Sequence, residues 1–233
     1  MDYFEARGLH AQDYENARLP AWLEHELQDL PRTGRILDFG CGLGQNLRAL
    51  TEQRFIDVTG ADVDSGAIAE SRGTGCRVLD VSGGLERAFE PGECFDVIVA
   101  LHVLEHVPKG EVIATLRKLR DLLAADGKLL IAVPNGQAFT GCYWAYEDFT
   151  HNTLFTSGSL KYVLNAAGFG NVALVDIRGD QFNRPMARFV KRLLFGVYAA
   201  HYRLFKWALD SPTHAPSPQV FTYELKARAS RRI

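Results

Sequence analysis

The chain has 233 residues, 47% hydrophobic and 23% charged, a composition typical of a globular protein that folds as one domain, residues 1–233. Its net charge of −2 gives no overall attraction to nucleic acid, so we expect no nucleic-acid partner. No apolar run is long enough to span a bilayer, and the first residues lack the basic and apolar regions of a signal peptide. The four cysteines have no C-x-x-C spacing, so we expect reduced thiols, no metal site and a cytoplasmic protein.

The first 30 residues have a helical pattern that mixes polar and aromatic side chains. Trp22, Leu23 and Leu27 fit one buried stripe of a helix, and Pro31 and Gly34 then end it. We expect residues 1–30 to form a helical cover across a ligand cleft.

The centre of the pattern is a short apolar run that ends at Asp38 and is followed by Gly40, Gly42 and Gly44. A helical pattern comes next, so the segment predicts a strand, a glycine-rich turn and a helix. Glycines allow a sharp turn and a close approach of a ligand, while the helix N-terminus attracts an anion. The dinucleotide fingerprint G-x-G-x-x-G needs glycine where Gln45 stands, so the pattern disfavours an NAD enzyme.

The second predicted strand, residues 57–62, also ends in an acid. Asp62 lies 24 positions after Asp38, and a carboxylate at about this distance commonly holds a ribose diol. Asp64 is the alternative ribose ligand. Ser65 is the expected N-cap of the following helix, although Asp64 could take that position instead.

The alternation of strands and helices then continues to residue 135. It predicts strands at residues 76–81, 95–100 and 128–133 and an amphipathic helix at 111–125, ended by Asp126 and Gly127 as a left-handed cap. Such alternation implies a doubly wound parallel sheet, whose ligands bind at the carboxyl ends of the strands. Asp38, Asp62, Asp80 and the pair Leu101–His102 all fall at that edge.

The glycine-rich segment, D-x-G-x-G-x-G, resembles motif I of the class I S-adenosyl-L-methionine (SAM) methyltransferases, and the resemblance covers residues 30–178 and 219–228. It implies an α/β fold with a seven-stranded, mostly parallel sheet, strands at 172–177 and 219–227, and an antiparallel last strand. It also implies SAM as cofactor, with the methionine end at the glycine turn, the ribose at Asp62 and the adenine at Asp80. The expected cofactor-binding residues are Asp38, Gly40, Cys41, Gly42, Gly44, Asn46, Asp62, Val63, Asp80, Val81, Leu101 and His102.

The loop after the fifth strand is rich in aromatic residues and is expected to overhang the reacting methyl group. His151 is the candidate general base, because an unperturbed imidazole, with a pKa of about 6.5, is mostly neutral at pH 7. Asp148 is expected to orient it or to act as a second base; alternatively, both residues only hold the loop in place. The D-x-x-H-x-x-x-F-T pattern resembles a subgroup found with bacterial polysaccharide genes, which implies O-methylation of a sugar-like small molecule. A quinone- or lipid-like acceptor at a membrane and a non-catalytic SAM-binding protein are the alternatives.

An insertion at residues 180–217 separates the last two strands and is predicted to be a helical cap. Between Gln181 and Leu209 it contains no acidic residue, and the basic residues after Arg184 lie on one side of a helical wheel with apolar residues on the other. Three interpretations of residues 184–209 remain open: the apolar face packs on the domain or on a second subunit of a homodimer, the helix lies on an anionic membrane, or it binds a substrate anion. The basic residues are Arg184, Arg188, Lys191, Arg192, Arg203 and Lys206.

Overall fold

The computed structural model describes residues 3–14, 17–179, 181, 183–208 and 218–231. It contains one seven-stranded sheet in the order β3-β2-β1-β4-β5-β7-β6. Strands β1 to β6 run parallel to one another, whereas β7 is antiparallel to both of its neighbours, so the predicted fold class is confirmed. The strands are β1 Arg35–Phe39, β2 Asp57–Asp62, β3 Arg77–Asp80, β4 Phe95–Leu101, β5 Leu123–Pro134, β6 Phe169–Val175 and β7 Glu224–Arg231.

Helices cover both faces of the sheet, and each face has its own apolar core. Two cores form because successive side chains of a strand point to opposite faces of the sheet. In β1, Leu37 and Phe39 belong to one core and Ile36 belongs to the other. The helices are α1 Tyr3–Ala6, α2 Ala21–Leu27, α3 Gln45–Glu52, α4 Ser65–Arg72, α5 Leu85–Ala88, α6 Val112–Asp121, α7 Gly141–Glu147, α8 Ser157–Ala166 and α9 Pro185–Ala208, with a 3₁₀ turn at Ala11–Tyr14.

The N-terminal region contains short helices rather than one continuous helix. Trp22, Leu23 and Leu27 of α2 are buried in the core, as their spacing predicts. Pro20 immediately before α2 is extended and prevents the helix from beginning earlier. This break leaves α1 separate and places it over the carboxyl edge of the sheet.

Several predicted element ends differ from the structure. The sixth strand is Phe169–Val175 rather than 172–177, and the fifth begins at Leu123 rather than at residue 128. The helix expected at 111–125 ends at Asp121, because Leu123 already pairs with Phe95 of β4. Gly127 therefore lies inside β5 and is not a left-handed cap. The last strand begins at Glu224 and not at residue 219. The predicted insertion contains α9, and its residues 209–217 lie outside the described residues.

The N-cap of α4 is Asp64, not Ser65. Asp64 is extended, and its Oδ1 accepts a hydrogen bond of 2.9 Å from the Ala67 amide. Its Oδ2 accepts another, of 3.1 Å, from the Tyr3 amide, so the cap also attaches α1 to the domain. A carboxylate satisfies a free amide of the first turn and interacts well with the helix dipole, which is why aspartate replaces serine in this role.

We expect Asp64→Ala to lower the free energy of unfolding by about 1 kcal/mol, since an amide of the first turn loses its acceptor. Ser65→Ala is the matched control and should change the unfolding free energy by less than about 0.5 kcal/mol. Urea denaturation of the two variants measures the difference. Equal losses would contradict the assignment of Asp64 as the cap.

Candidate functional site

The glycine turn lies at the carboxyl end of β1, in the centre of the sheet. Gly40, Gly42 and Gly44 have φ angles of +77°, +51° and +83°, which residues with a Cβ rarely adopt. Packing also requires glycine at position 40, because a Cβ there would lie 2.2 Å from Cγ2 of Val103. The turn leads directly into α3, so free amides of its first residues remain at the edge where ligands bind.

Asp38 lies beneath this turn with 1% of its surface exposed. Its Oδ1 is 3.5 Å from the Asn46 amide nitrogen, but its Oδ2 has no hydrogen-bond partner among the described residues. Burial, opposed by the Asn46 contact and assisted by the charge of Asp62, raises the pKa of Asp38 to about 7. A buried carboxylate oxygen without a partner suits an ammonium group, and the methionine end of SAM carries one.

The acids on β2 and β3 lie side by side at the same edge. Asp62 and Asp80 are register partners, and Val63, between them and α4, is largely exposed. The Asp62 carboxylate accepts hydrogen bonds from the amides of Gly42 at 2.8 Å and Val63 at 2.7 Å, so it is fixed against the glycine turn. Asp80 is exposed, and its hydrogen bonds with Ser82 lower its pKa. Both carboxylates retain lone pairs for a diol or an amino group.

Some residues in the predicted cofactor set face away from this edge. The thiol of Cys41 is buried next to Gly60 and is 4.0 Å from Ser71 Oγ, and Val81 belongs to the apolar core. Leu101 is partly buried against the second core. The side chains of Cys41 and Val81 serve packing, so any cofactor contact at these positions must come from the backbone.

His102 belongs to an ionic network rather than to the glycine turn. Its Nδ1 is 3.2 Å from Glu105 and its Nε2 is 2.8 Å from Glu224 of β7. Burial would lower the pKa of His102, but the hydrogen bonds to Glu105 and Glu224 outweigh it and raise the pKa to about 10. His102 is therefore an imidazolium at neutral pH and unsuited to accept a proton.

A cavity of about 340 Å³ opens next to this network, between α1, α7 and the start of β7. Its walls combine aromatic rings with charged groups and imidazoles. They are formed by Tyr3, Arg7, His102, Glu105, His106, Pro134, Trp144, Glu147, Asp148, His151, Tyr223 and Glu224. The structure thus brings both predicted catalytic residues, Asp148 and His151, into one cavity.

His151 is held in one orientation by the backbone of α7. Its Nδ1 is 2.8 Å from the carbonyl oxygen of Trp144, which can only accept, so Nδ1 carries the proton and Nε2 offers a lone pair. Nε2 is 4.0 Å from Oδ2 of Asp148, which is beyond hydrogen-bond distance. The carbonyl of Trp144, and not Asp148, is therefore the group that orients the ring.

Asp148 instead binds α1 to the loop. Its Oδ2 accepts a 2.5 Å hydrogen bond from the Tyr3 hydroxyl and pairs with Arg7, while Oδ1 accepts from the Thr150 hydroxyl at 2.6 Å. Burial would raise the pKa of Asp148, but hydrogen bonds from Thr150 and Tyr3 and the Arg7 charge hold it well below its usual range. A carboxylate this firmly ionised is a weak base, which argues against the second-base role.

Tyr3 and Arg7 are the site residues that the sequence analysis missed. They lie 145 and 141 positions before Asp148 and belong to no recognisable motif. Burial and the hydrogen bond to Asp148 raise the pKa of Tyr3 to about 12, so it stays a hydroxyl donor. The same short helix places the Phe4 ring 2.9 Å from the point where a Cβ on Gly42 would be. Helix α1 therefore connects the glycine turn with the His151 loop.

Glu105, His106 and His151 are the described residues whose ligand-type atoms come within 4.8 Å of one another. His106 Nδ1 is 2.8 Å from Thr150 Oγ1, and burial lowers the pKa of His106, so it is neutral. One oxygen of Glu105 lacks a partner among the described residues, while the other pairs with the imidazolium of His102. That imidazolium, which Glu105 shares with Glu224, offsets part of the carboxylate charge and so weakens the attraction of this cluster for a cation.

Comparisons with known proteins agree with this geometry. The chain matches the family model of the methyltransferase domain over residues 10–174. It is 30% identical over 150 residues to the ubiquinone biosynthesis O-methyltransferase of Azorhizobium caulinodans, and the match covers 58% of each chain. The chain therefore spans little more than half the length of that curated relative.

Solved structures extend the likeness to the whole fold. A SAM dependent methyltransferase from Archaeoglobus fulgidus has a TM-score of 0.65 at 18% identity, with 98% of both chains covered. The magnesium protoporphyrin IX methyltransferase of Synechocystis, solved with bound SAM, has a TM-score of 0.52 at 17% identity, with 96% of this chain and 80% of that chain covered. The family match, the sheet order and the carboxylates around the glycine turn show that this chain belongs to the methyltransferase domain family and that its cofactor is S-adenosyl-L-methionine.

Proposed function

We propose that this protein transfers the methyl group of SAM to a hydroxyl of a sugar-derived small molecule, with His151 as the general base. The observation that carries the proposal is the 2.8 Å contact between His151 Nδ1 and the Trp144 carbonyl, which leaves the Nε2 lone pair available in the cavity. The match to an O-methyltransferase of ubiquinone biosynthesis supports oxygen as the accepting atom.

Bound SAM supplies an electrophilic methyl group, so the protein must position the acceptor and remove one proton. His151 Nε2 accepts the proton from the attacking hydroxyl, and the Asp148 carboxylate 4.0 Å away stabilises the imidazolium that results. Tyr3 and Arg7 keep Asp148 ionised and in place. Helix α1 contributes the Tyr3 ring to the wall of the same cavity.

The lining of the cavity supports a sugar-like acceptor. Tyr3, Trp144 and Tyr223 present aromatic surfaces, and Glu147 and Glu224 are carboxylates that accept hydrogen bonds from hydroxyls. Aromatic rings pack on the C–H faces of a sugar while carboxylates bind its hydroxyl groups. This combination suits a polyhydroxylated ring better than a wholly apolar one.

We expect release of S-adenosyl-L-homocysteine with at least one member of a panel of sugar nucleotides and free sugars. The product should carry its new methyl on oxygen, as mass spectrometry and NMR can establish. Amines and carboxylic acids of similar size are the matched comparison. Turnover with amines alone would contradict hydroxyl methylation while leaving the cofactor assignment intact.

Chelation should leave turnover unchanged, because the proton acceptor is His151 and Glu105 is already paired with the His102 imidazolium. The measurement compares initial rates before and after dialysis against EDTA, with SAM binding followed in parallel. A rate that falls and returns on addition of Zn²⁺ or Mn²⁺ would make His151 a metal ligand and would contradict its role as base.

A further inference from the structure

Among the described residues, helix α9 packs on the rest of the domain through one aromatic side, which lies opposite the face that carries most of its apolar residues. Phe195, Tyr198 and Tyr202 lie against Phe221, with ring centroids 6.5, 4.8 and 5.2 Å from it. At 3.6 residues per turn these three positions share one side of the helix. Arg188 is on the same side and is half-buried.

The opposite side of α9 is apolar and points into solvent. Leu193 and Val197 are 61% and 64% exposed, and Val197 lies about 200° around the helix from Phe195. The exposed apolar residues of α9 include Met186, Phe189, Val190, Leu193, Leu194, Val197, Leu204, Phe205 and Trp207. We call this set the outer face. A continuous apolar surface of this extent on a soluble domain marks an interaction site.

The charged residues of α9 indicate what kind of surface binds to the outer face. Between Gln181 and Leu209 the chain has six basic residues and no acidic one, although its overall net charge is −2. Arg192 and Arg203 border the outer face on one side and Lys191 borders it on the other. A second copy of the helix would bring like charges together, whereas an anionic lipid surface is complementary to both the apolar face and its basic borders.

Helix α9 also adjoins the rim of the cavity that contains His151, through Tyr198 on its domain-contacting side. The ring of Phe139, 87% exposed, is 6.4 Å from Tyr198 of α9. Phe139 precedes α7, whose Tyr143 and Tyr146 are exposed while its Trp144 and Glu147 line the cavity. A surface seated on the outer face would therefore lie about one helix diameter, roughly 10 Å, from the rim of this cavity.

We propose that α9 attaches this protein peripherally to anionic lipid bilayers, with the outer face in the acyl boundary and Lys191, Arg192 and Arg203 at the phosphates. The attachment is peripheral because, among the described residues, no helix is long and apolar enough to cross a membrane. This membrane attachment is a property separate from the proposed reaction. It would bring the cavity near an acceptor held in the membrane.

Flotation of the full chain with phosphatidylcholine vesicles, with and without phosphatidylglycerol, tests the proposal. Binding should require the anionic lipid and should fall about tenfold or more in the double variant Leu193→Gln/Val197→Gln, because the buried apolar area is lost. Leu204→Gln is a second variant of the outer face. Tyr162→Gln, which removes an exposed aromatic ring from α8, is the control and should bind like the wild type.

The basic border is tested separately. Arg203→Gln should lower partitioning into anionic vesicles about fivefold, whereas Arg87→Gln, at an exposed position of α5, should not change it. Circular dichroism confirms that each variant is folded. Absence of vesicle binding, binding unaffected by the outer-face variants, or a dimer in light scattering that these variants dissociate would each overturn the proposal. Because flotation needs neither SAM nor an acceptor, failure here is distinguishable from failure of the proposed reaction.

Discussion

Replacing His151 by alanine should lower kcat by about 10²- to 10⁴-fold, which is the usual contribution of a general base. The variant should still bind SAM, because the glycine turn, Asp38 and Asp62 do not contact His151. Single-turnover rates with the best acceptor, together with calorimetric titration of SAM, measure the two properties separately. Retained turnover, or loss of SAM binding along with turnover, would contradict the role of His151 as base.

A glutamine substitution distinguishes a base from a residue that only supports the loop. His151→Gln preserves a hydrogen-bond donor for the Trp144 carbonyl but cannot accept the proton, so it should lose about as much turnover as His151→Ala. If His151 only held the loop in place, glutamine would restore most of the rate. His106→Gln is the comparison and should keep most of the turnover, since the ring of His106 is partnered through Thr150.

Asp148→Asn provides a further contrast within the same cavity. The Trp144 carbonyl would still fix the His151 tautomer, so the base remains competent. The loss of the carboxylate removes its stabilisation of the imidazolium and its pairing with Arg7. A smaller rate loss than in His151→Ala is expected, and it should be accompanied by easier proteolysis near α1.

The sheet and the cofactor edge could be predicted because they depend on local signals. Alternating apolar strands and helices determine the doubly wound order, and the three glycines at positions 40, 42 and 44 can occupy left-handed conformations that few other residues tolerate. Asp38, Asp62 and Asp80 fall at strand ends, and parallel strands bring their ends together. Cys41 could not be recognised as a packing residue, because its burial under Gly60 depends on the neighbouring strand.

The acceptor cavity was harder to predict because its walls come from distant parts of the chain. Helix α1 has only four residues, and its position depends on Asp64 and Asp148 rather than on its own pattern. The glutamate pair that makes His102 an imidazolium includes Glu224, 122 positions later. The helical wheel of α9 likewise separates basic from apolar residues, but it does not show which side faces the domain. The contact of Tyr198 with Phe221 shows that the outer face points away from the domain.

Asp38→Asn should have opposite effects on stability and on cofactor binding. The folded protein raises the pKa of Asp38 from 3.8 to about 7, so the folded state holds a proton that the unfolded state has released. The wild-type free energy of unfolding therefore falls as pH rises from about 4 to about 7, by about 4 kcal/mol at most. Asparagine cannot ionise, so urea denaturation at pH 8 should show the variant to be the more stable. Asp57→Asn, at a half-exposed position, is the control.

The same substitution should weaken SAM binding about thirtyfold or more, because the ammonium group would lose a buried, ionised partner. Proton linkage gives an independent check. At pH 6 free Asp38 is largely protonated, and it must release its proton to pair with a cation, so SAM binding should liberate protons. Calorimetric titrations at pH 6 in buffers of different ionisation enthalpy measure that release, which should disappear at pH 8 and in Asp38→Asn. Unchanged SAM affinity in the variant would show that the orphan oxygen of Asp38 does not bind the ammonium, and the role of the carboxylate would then be confined to the turn itself.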